Sequence, residues 1–245
     1  MYENLKKRFG QNFLIDENIL SKISDLIVCK NQKILEIGPG NGKLTDKILL
    51  KKPSQLTIVE IDKRLIDDLK KKYSKFDHIK IIHDDILNLS INEKYHAVVS
   101  NLPYNISSQI LVKLSLLENA PDKLILMFQK EFARRLLNKK INSINSLILC
   151  FYDVKINFNV SKNCFRPIPK VDSSVLTFIK KNKNLIEQSE INNFIIFKRK
   201  LFSYKRKSLK NLLKNYSLKN EFDLSLRVED LELSTLIEIF RDINV

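Results

Sequence analysis

The sequence predicts an α/β protein: a mostly parallel sheet covered by helices, followed by a small all-helical domain. Three observations predict it. Up to about residue 180, short apolar runs alternate with longer amphipathic ones, the pattern of strands joined by crossover helices. Three of the four glycines in 245 residues, Gly38, Gly40 and Gly42, share one turn directly after an apolar run. From Ser189 onward the periodicity is helical, with no strand-like run. The units are therefore expected at 1–180 and 181–245, with Lys180–Lys183 as a short linker.

In chain order, Asp16 has the chemistry of an N-cap for a helix over Glu17–Ile27. Lys33–Ile37, Gln55–Ile61, Ile79–His83, Ala97–Leu102 and Leu124–Gln129 read as strands. Between them Lys43–Lys51, Lys63–Tyr73 and Ser107–Leu117 carry helical spacing, and Lys130–Leu137 continues as a further helix. Leu147–Phe158 and Val175–Ile179 are expected as later strands, a hairpin closing the sheet. In the second unit Phe202, Leu209, Leu213 and Tyr216 mark one face of a long helix, and Leu233–Ile243 forms another.

Composition narrows the function classes. A hydrophobic fraction of 44% is ordinary for a chain with a sizeable core. The formal net charge of +15 favours polyanionic partners, with nucleic acid ahead of an acidic membrane surface. A solvated basic surface is the plainer alternative. Cys29, Cys150 and Cys164 are widely spaced, no CxxC occurs, and His78, His83 and His96 form no ligand pattern with them. The cysteines read as thiols of a reducing compartment and no metal is expected. No run approaches the ~18 apolar residues of a membrane span, and Met1–Gly10 lacks the apolar segment of a secretory signal. A cytoplasmic monomer is the expectation.

The glycine turn, EIGPGNGKLT, lies between a strand and a helix. Glycine admits positive φ and lets a ligand approach the backbone, so a chain that uses it sparingly elsewhere has a reason for it here. The next strand ends VEID, with Glu60 22 positions after Gly38, near the roughly 20 expected for a carboxylate on ribose hydroxyls. A nicotinamide dinucleotide is one candidate ligand. Pro39 within the turn and the acidic strand end HDDIL suit instead a ligand with ribose and adenine but no pyrophosphate, such as S-adenosylmethionine. Asp85 is placed to accept from an adenine amine, and Asp84 beside it ranks lower.

The strand Ala97–Leu102 runs into Ser-Asn-Leu-Pro-Tyr-Asn. An exocyclic adenine amine is a poor nucleophile because its lone pair is delocalised into the ring. A site can accept both amine hydrogens and draw the nitrogen toward a tetrahedral geometry. The Asn101 side-chain oxygen and the Leu102 carbonyl suit that task, held by Pro103, while Tyr104 offers a stacking face for an extruded base. No general base is needed before transfer, so catalysis would be positioning and electrostatics.

The chain resembles the ribosomal RNA adenine dimethyltransferases, specifically the bacterial small-subunit enzymes. The resemblance rests on KKRFGQNFLID (Lys6–Asp16), EIGPGNGKLT, VEID, DDIL, SNLPYNISS, FQKEFARRL, FRPIPKVDSSV (Phe165–Val175) and FSYKRKSLKNLL (Phe202–Leu213). It implies a Rossmann-like class I methyltransferase domain and a helical, RNA-docking C-terminal domain. It implies that Asn12 and Leu14 line the cofactor site with Gly38, Gly40, Glu60, Asp85 and Asn101, and that Phe165 joins Tyr104 in stacking on the target. The implied substrate is a pair of adjacent adenosines near the 3′ end of small-subunit ribosomal RNA, each dimethylated. The alternatives are a macrolide-resistance-type enzyme of the large subunit, a dehydrogenase, and a catalytically silent assembly factor.

Between Glu190 and Glu221 the chain has no acidic residue but many basic ones, among them Lys198, Lys205, Arg206, Lys207 and Lys210. Such a stripe suits an RNA backbone, and a membrane-surface helix has a similar composition. Lys205, Arg206, Lys207 and Lys210 are the expected RNA contacts.

Overall fold

The structure is a computed structural model that describes residues 12–28 and 30–243, so Cys29 and the Lys6–Gln11 part of the N-terminal motif lie outside the described residues. Along the chain come β1 (Phe13–Leu14), α1 (Glu17–Asp25), β2 (Lys33–Ile37), α2 (Lys43–Leu49), β3 (Gln55–Glu60), α3 (Lys63–Lys72), β4 (Ile79–His83), β5 (Ala97–Asn101), α4 (Ser107–Ser115), β6 (Lys123–Gln129) and α5 (Lys130–Leu136). There follow α6 (Asn145–Ile148), β7 (Tyr152–Val160), β8 (Phe165–Arg166), β9 (Ser173–Lys180), α7 (Ile191–Ser203), α8 (Leu209–Leu212) and α9 (Leu233–Asp242).

The main sheet has the order β4-β3-β2-β5-β6-β9-β7. It is parallel from β4 to β6, and β9 returns antiparallel to β6. Parallel strands covered on both faces must be apolar throughout, and β5 and β6 are buried along almost their whole length. Because β3 and β5 flank β2 on opposite sides, the order of connection reverses there. A crevice opens beyond the carboxyl ends of β2 and β5, the usual ligand position in such sheets. Local chemistry supports the helices around it. Asp16 caps α1 by accepting from the Ile19 amide at 3.0 Å, and Asp62 caps α3 by accepting from the Arg64 amide at 3.1 Å. A second, two-stranded sheet pairs β1 with β8 antiparallel, Leu14 opposite Phe165.

The chain divides into two compact units. Met1–Ala133 with Asp153–Lys180 form the first, and Arg134–Tyr152 with Lys181–Val245 the second. The second unit thus takes in a stretch, Arg134–Tyr152, that the expected boundary at residue 180 assigns to the first. Leu147–Phe158, which straddles the end of that stretch, is not one strand: its start lies in the short helix α6, and β7 begins only at Tyr152. The reason is an asparagine turn. Asn142 Oδ1 accepts from the Ile144 and Asn145 amides, both at 3.0 Å, which starts a helical turn that the apolar run then continues.

The long helix expected through Tyr216 is also broken. Helix α7 stops at Ser203, and α8 covers only Leu209–Leu212. Ser208 pairs with Arg227 in an isolated bridge, and the Leu209 and Lys210 amides donate to Leu226 and Leu224 carbonyls at 2.8 and 2.9 Å. Those long-range bonds hold Ser208 extended and outcompete local helix propensity. The unit is packed around Phe240, whose ring lies 5.1 Å from Phe194 and 5.6 Å from Phe197. Lys198, read as part of the basic stripe, is buried instead. Its ammonium donates to the Ser143 carbonyl, and burial depresses its pKa to about 8.

Candidate active site

The crevice holds a cavity of about 240 Å³ lined from β1, the glycine turn, the ends of β3 and β5, and the segments after β4 and β5. Its floor is built by the glycine turn. Gly38 has φ +66° and open space where a Cβ would stand, so any side chain there would be strained and would occupy the room beside the turn. Gly40 has φ +61°, and a Cβ on it would come within 2.6 Å of the Phe13 ring. The backbone is bare here because it must pass between β1 and the cavity.

Glu60, at the tip of β3, is 4% exposed. Its Oε1 accepts from the Ile61 and Asp62 amides, each at 3.0 Å, and its Oε2 accepts a longer bond of 3.3 Å from the Gly40 amide. Burial raises its pKa, and the amide bonds oppose that rise. The carboxylate is thus oriented by its own turn, with acceptor capacity left on Oε2. Asp85 lines the cavity half-buried, its Oδ1 accepting from the Leu87 amide at 2.9 Å, while Asp84 is exposed at the rim.

On the β5 side, the Asn101 side chain donates from Nδ2 to the Asn12 carbonyl at 2.9 Å. That bond settles which way the amide faces and leaves Oδ1 as the atom available to an incoming N–H. The backbone then turns through Leu102 and Pro103, closed by the Ile106 amide donating to the Pro103 carbonyl at 3.2 Å. The Tyr104 hydroxyl lies 2.6 Å from Ser173 Oγ at the start of β9, and burial raises its pKa. Asn12, Leu14, Gly38, Gly40, Glu60, Asp85, Asn101, Leu102, Pro103 and Tyr104 all line this one cavity.

Phe165 does not. It is fully buried, part of the core cluster with Leu14, Leu20 and Ile23, and its ring is not on the cavity wall. Pairing of β8 with β1 directs it inward, so the expectation that it stacks on a base is corrected to core packing.

A sequence model of the ribosomal RNA adenine dimethylase family matches residues 2–238. The chain belongs to that family. A small-subunit ribosomal RNA methyltransferase A of Malacoplasma penetrans is 40% identical over 89% of this chain and 80% of its own length. One of Mycoplasma mobile is 37% identical over the full length of both. Among solved structures, a dimethyladenosine transferase from Plasmodium falciparum superposes with a TM-score of 0.82 at 26% identity, covering 95% of this chain and 97% of that one.

Enzymes of the dimethylase family take their methyl groups from S-adenosylmethionine. The residues present fit it. Beside Gly38 and Glu60, Glu36 on β2 lines the cavity while only 1% exposed. Its Oε2 accepts from the Thr45 hydroxyl at 2.7 Å, and among the described residues no group reaches its Oε1. An unpaired buried carboxyl oxygen at a ligand cavity is a hydrogen-bonding position left for the ligand. Burial lifts the Glu36 carboxyl to a pKa of about 8. Glu36 is not among the residues expected from the sequence, and its signal there is a single carboxylate in the otherwise apolar end of a central strand.

Proposed function

We propose that this chain transfers methyl groups to the exocyclic amines of two adjacent adenosines near the 3′ end of small-subunit ribosomal RNA, giving dimethyladenosines. The observation that carries it is the Asn101 amide, whose Nδ2 is committed to Asn12 and whose Oδ1 is left at the edge of the cavity beside Leu102. The relatives, small-subunit ribosomal RNA methyltransferases, support the small-subunit acceptor over the large-subunit one.

Glu60 holds the ribose of the cofactor through the acceptor capacity of Oε2, Asp85 takes the adenine amine, and Glu36 offers its unpaired oxygen to the ligand's donor groups. S-adenosylmethionine, when bound, supplies an electrophilic methyl group. The chain's own part is to present the target nitrogen. Asn101 Oδ1 and the Leu102 carbonyl each accept one amine hydrogen, and these bonds strengthen as the nitrogen becomes cationic. The proton then leaves to water from an already acidic cation, so no residue acts as a base beforehand. Tyr104 supplies a face for the extruded base, steadied by Ser173. Lys205, Arg206, Lys207 and Lys210, all exposed, hold the RNA backbone. We infer that the protein works as a monomer in the cytoplasm; no helix among the described residues is long and apolar enough to cross a membrane.

The test is single-turnover methyl transfer to undermethylated small subunits with cofactor saturating. Asn101→Ala is expected to lower the rate by roughly 10²–10³ while RNA binding is kept. Transfer at the wild-type rate would refute the assignment of Asn101.

A further inference from the structure

The segment between β8 and β9, Pro167–Asp172, is anchored at both ends to walls of the cavity. At one end β8 pairs with β1, whose Phe13 and Leu14 line it. At the other, Ser173 bonds Tyr104, which lines it too. Further bonds hold the C-terminal end: the Asp172 carbonyl accepts from the Lys130 amide, and its carboxylate from the Lys162 amide, both at 3.0 Å. Two prolines stiffen the span, and Pro169 is buried. From this rigid base two apolar side chains stand outward, Ile168 at 53% exposure and Val171 at 44%, with exposed Lys170 between them.

A single exposed aliphatic residue needs no explanation. Two of them, flanking a lysine on a braced loop tied to both walls of a nucleobase site, do. Extruding a base costs a few kcal/mol of stacking, and proteins that distort nucleic acid commonly meet that cost with an apolar wedge. We propose that Ile168 and Val171 are that wedge: they pack against the nucleotide neighbouring the target adenosine and fill the stack it vacates, with Lys170 on the adjoining phosphate. Both are positioning residues for extrusion, and the proposal rests on the RNA adenosine reading given above.

The experiment uses the full chain and undermethylated small subunits, with a parallel set reconstituted to carry 2-aminopurine at the target position. The double variant Ile168→Ser, Val171→Ser is expected to lower single-turnover transfer by about tenfold or more, the loss of roughly one stacking contact. It should also diminish the rise in 2-aminopurine fluorescence that reports extrusion, with cofactor affinity unchanged. Ile168→Leu with Val171→Leu should restore both signals, which a collapsed loop would not allow. Wild-type transfer with an unaffected double variant overturns the wedge alone. Loss of subunit binding with normal extrusion overturns it in favour of a docking role. No transfer by the wild type overturns the acceptor reading and the wedge together.

Discussion

Replacing Glu36 by Gln tests whether the buried carboxyl is a strained feature kept for the cofactor. In the folded, ligand-free chain its pKa is about 8 against an ordinary 4.5. A carboxyl whose pKa is raised on folding binds its proton more tightly in the folded state. Its contribution to stability is therefore full below about 4.5 and is lost as pH rises through about 8. Integrating between those limits, the wild type loses roughly 3–4 kcal/mol between pH 5 and 8 on this group alone. Glutamine keeps an acceptor for the Thr45 hydroxyl and cannot ionise. Titrations elsewhere in the chain cancel between the two proteins. Thermal unfolding followed by circular dichroism should find melting temperatures close together at pH 5, with the variant higher by roughly 10 °C at pH 8, at about 2–4 °C per kcal/mol for a chain of this size. S-adenosylmethionine should narrow the gap at pH 8, because a cationic ligand favours the ionised carboxyl of the wild type. Parallel melting curves from pH 5 to 8 would refute the reasoning.

Two further outcomes are expected. Glu60→Ala should weaken S-adenosylmethionine binding by about 10–150-fold, the loss of one charge-assisted hydrogen-bond partner, and calorimetry showing equal affinity would remove Glu60 from the site. Replacing Lys205, Arg206 and Lys207 together with Ala should flatten the salt dependence of RNA binding by up to about 0.7–0.9 log units per lost phosphate contact, with cofactor affinity kept; an unchanged slope would mean these exposed cations face solvent in the complex.

Most of the first unit was legible because its signals are local. Asp16 and Asp62 cap helices within three residues of themselves. The turn after β2 needs positive φ at residues only glycine occupies without strain, and Glu60 sits on the next strand in the register that brings it to Gly40. Central parallel strands announce themselves by being apolar on both faces. These are properties of short stretches of chain, and so the parallel sheet, the crevice and most of the cavity lining are legible in the sequence.

What tertiary structure alone decided came from partners distant in sequence. An aromatic residue before Arg-Pro looks the same whether it packs inward or faces a base, and pairing of β8 with β1 sends Phe165 into the core. Lys198 looks like its basic neighbours until Ser143 draws it under cover. A bridge to Arg227 breaks a helix that local periodicity would have continued past Tyr204. Asn101 and Asn12 are 89 positions apart, and Tyr104 and Ser173 are 69. The residue types at the site were written in the sequence, but the direction each side chain faces depends on contacts that exist only once the chain has folded.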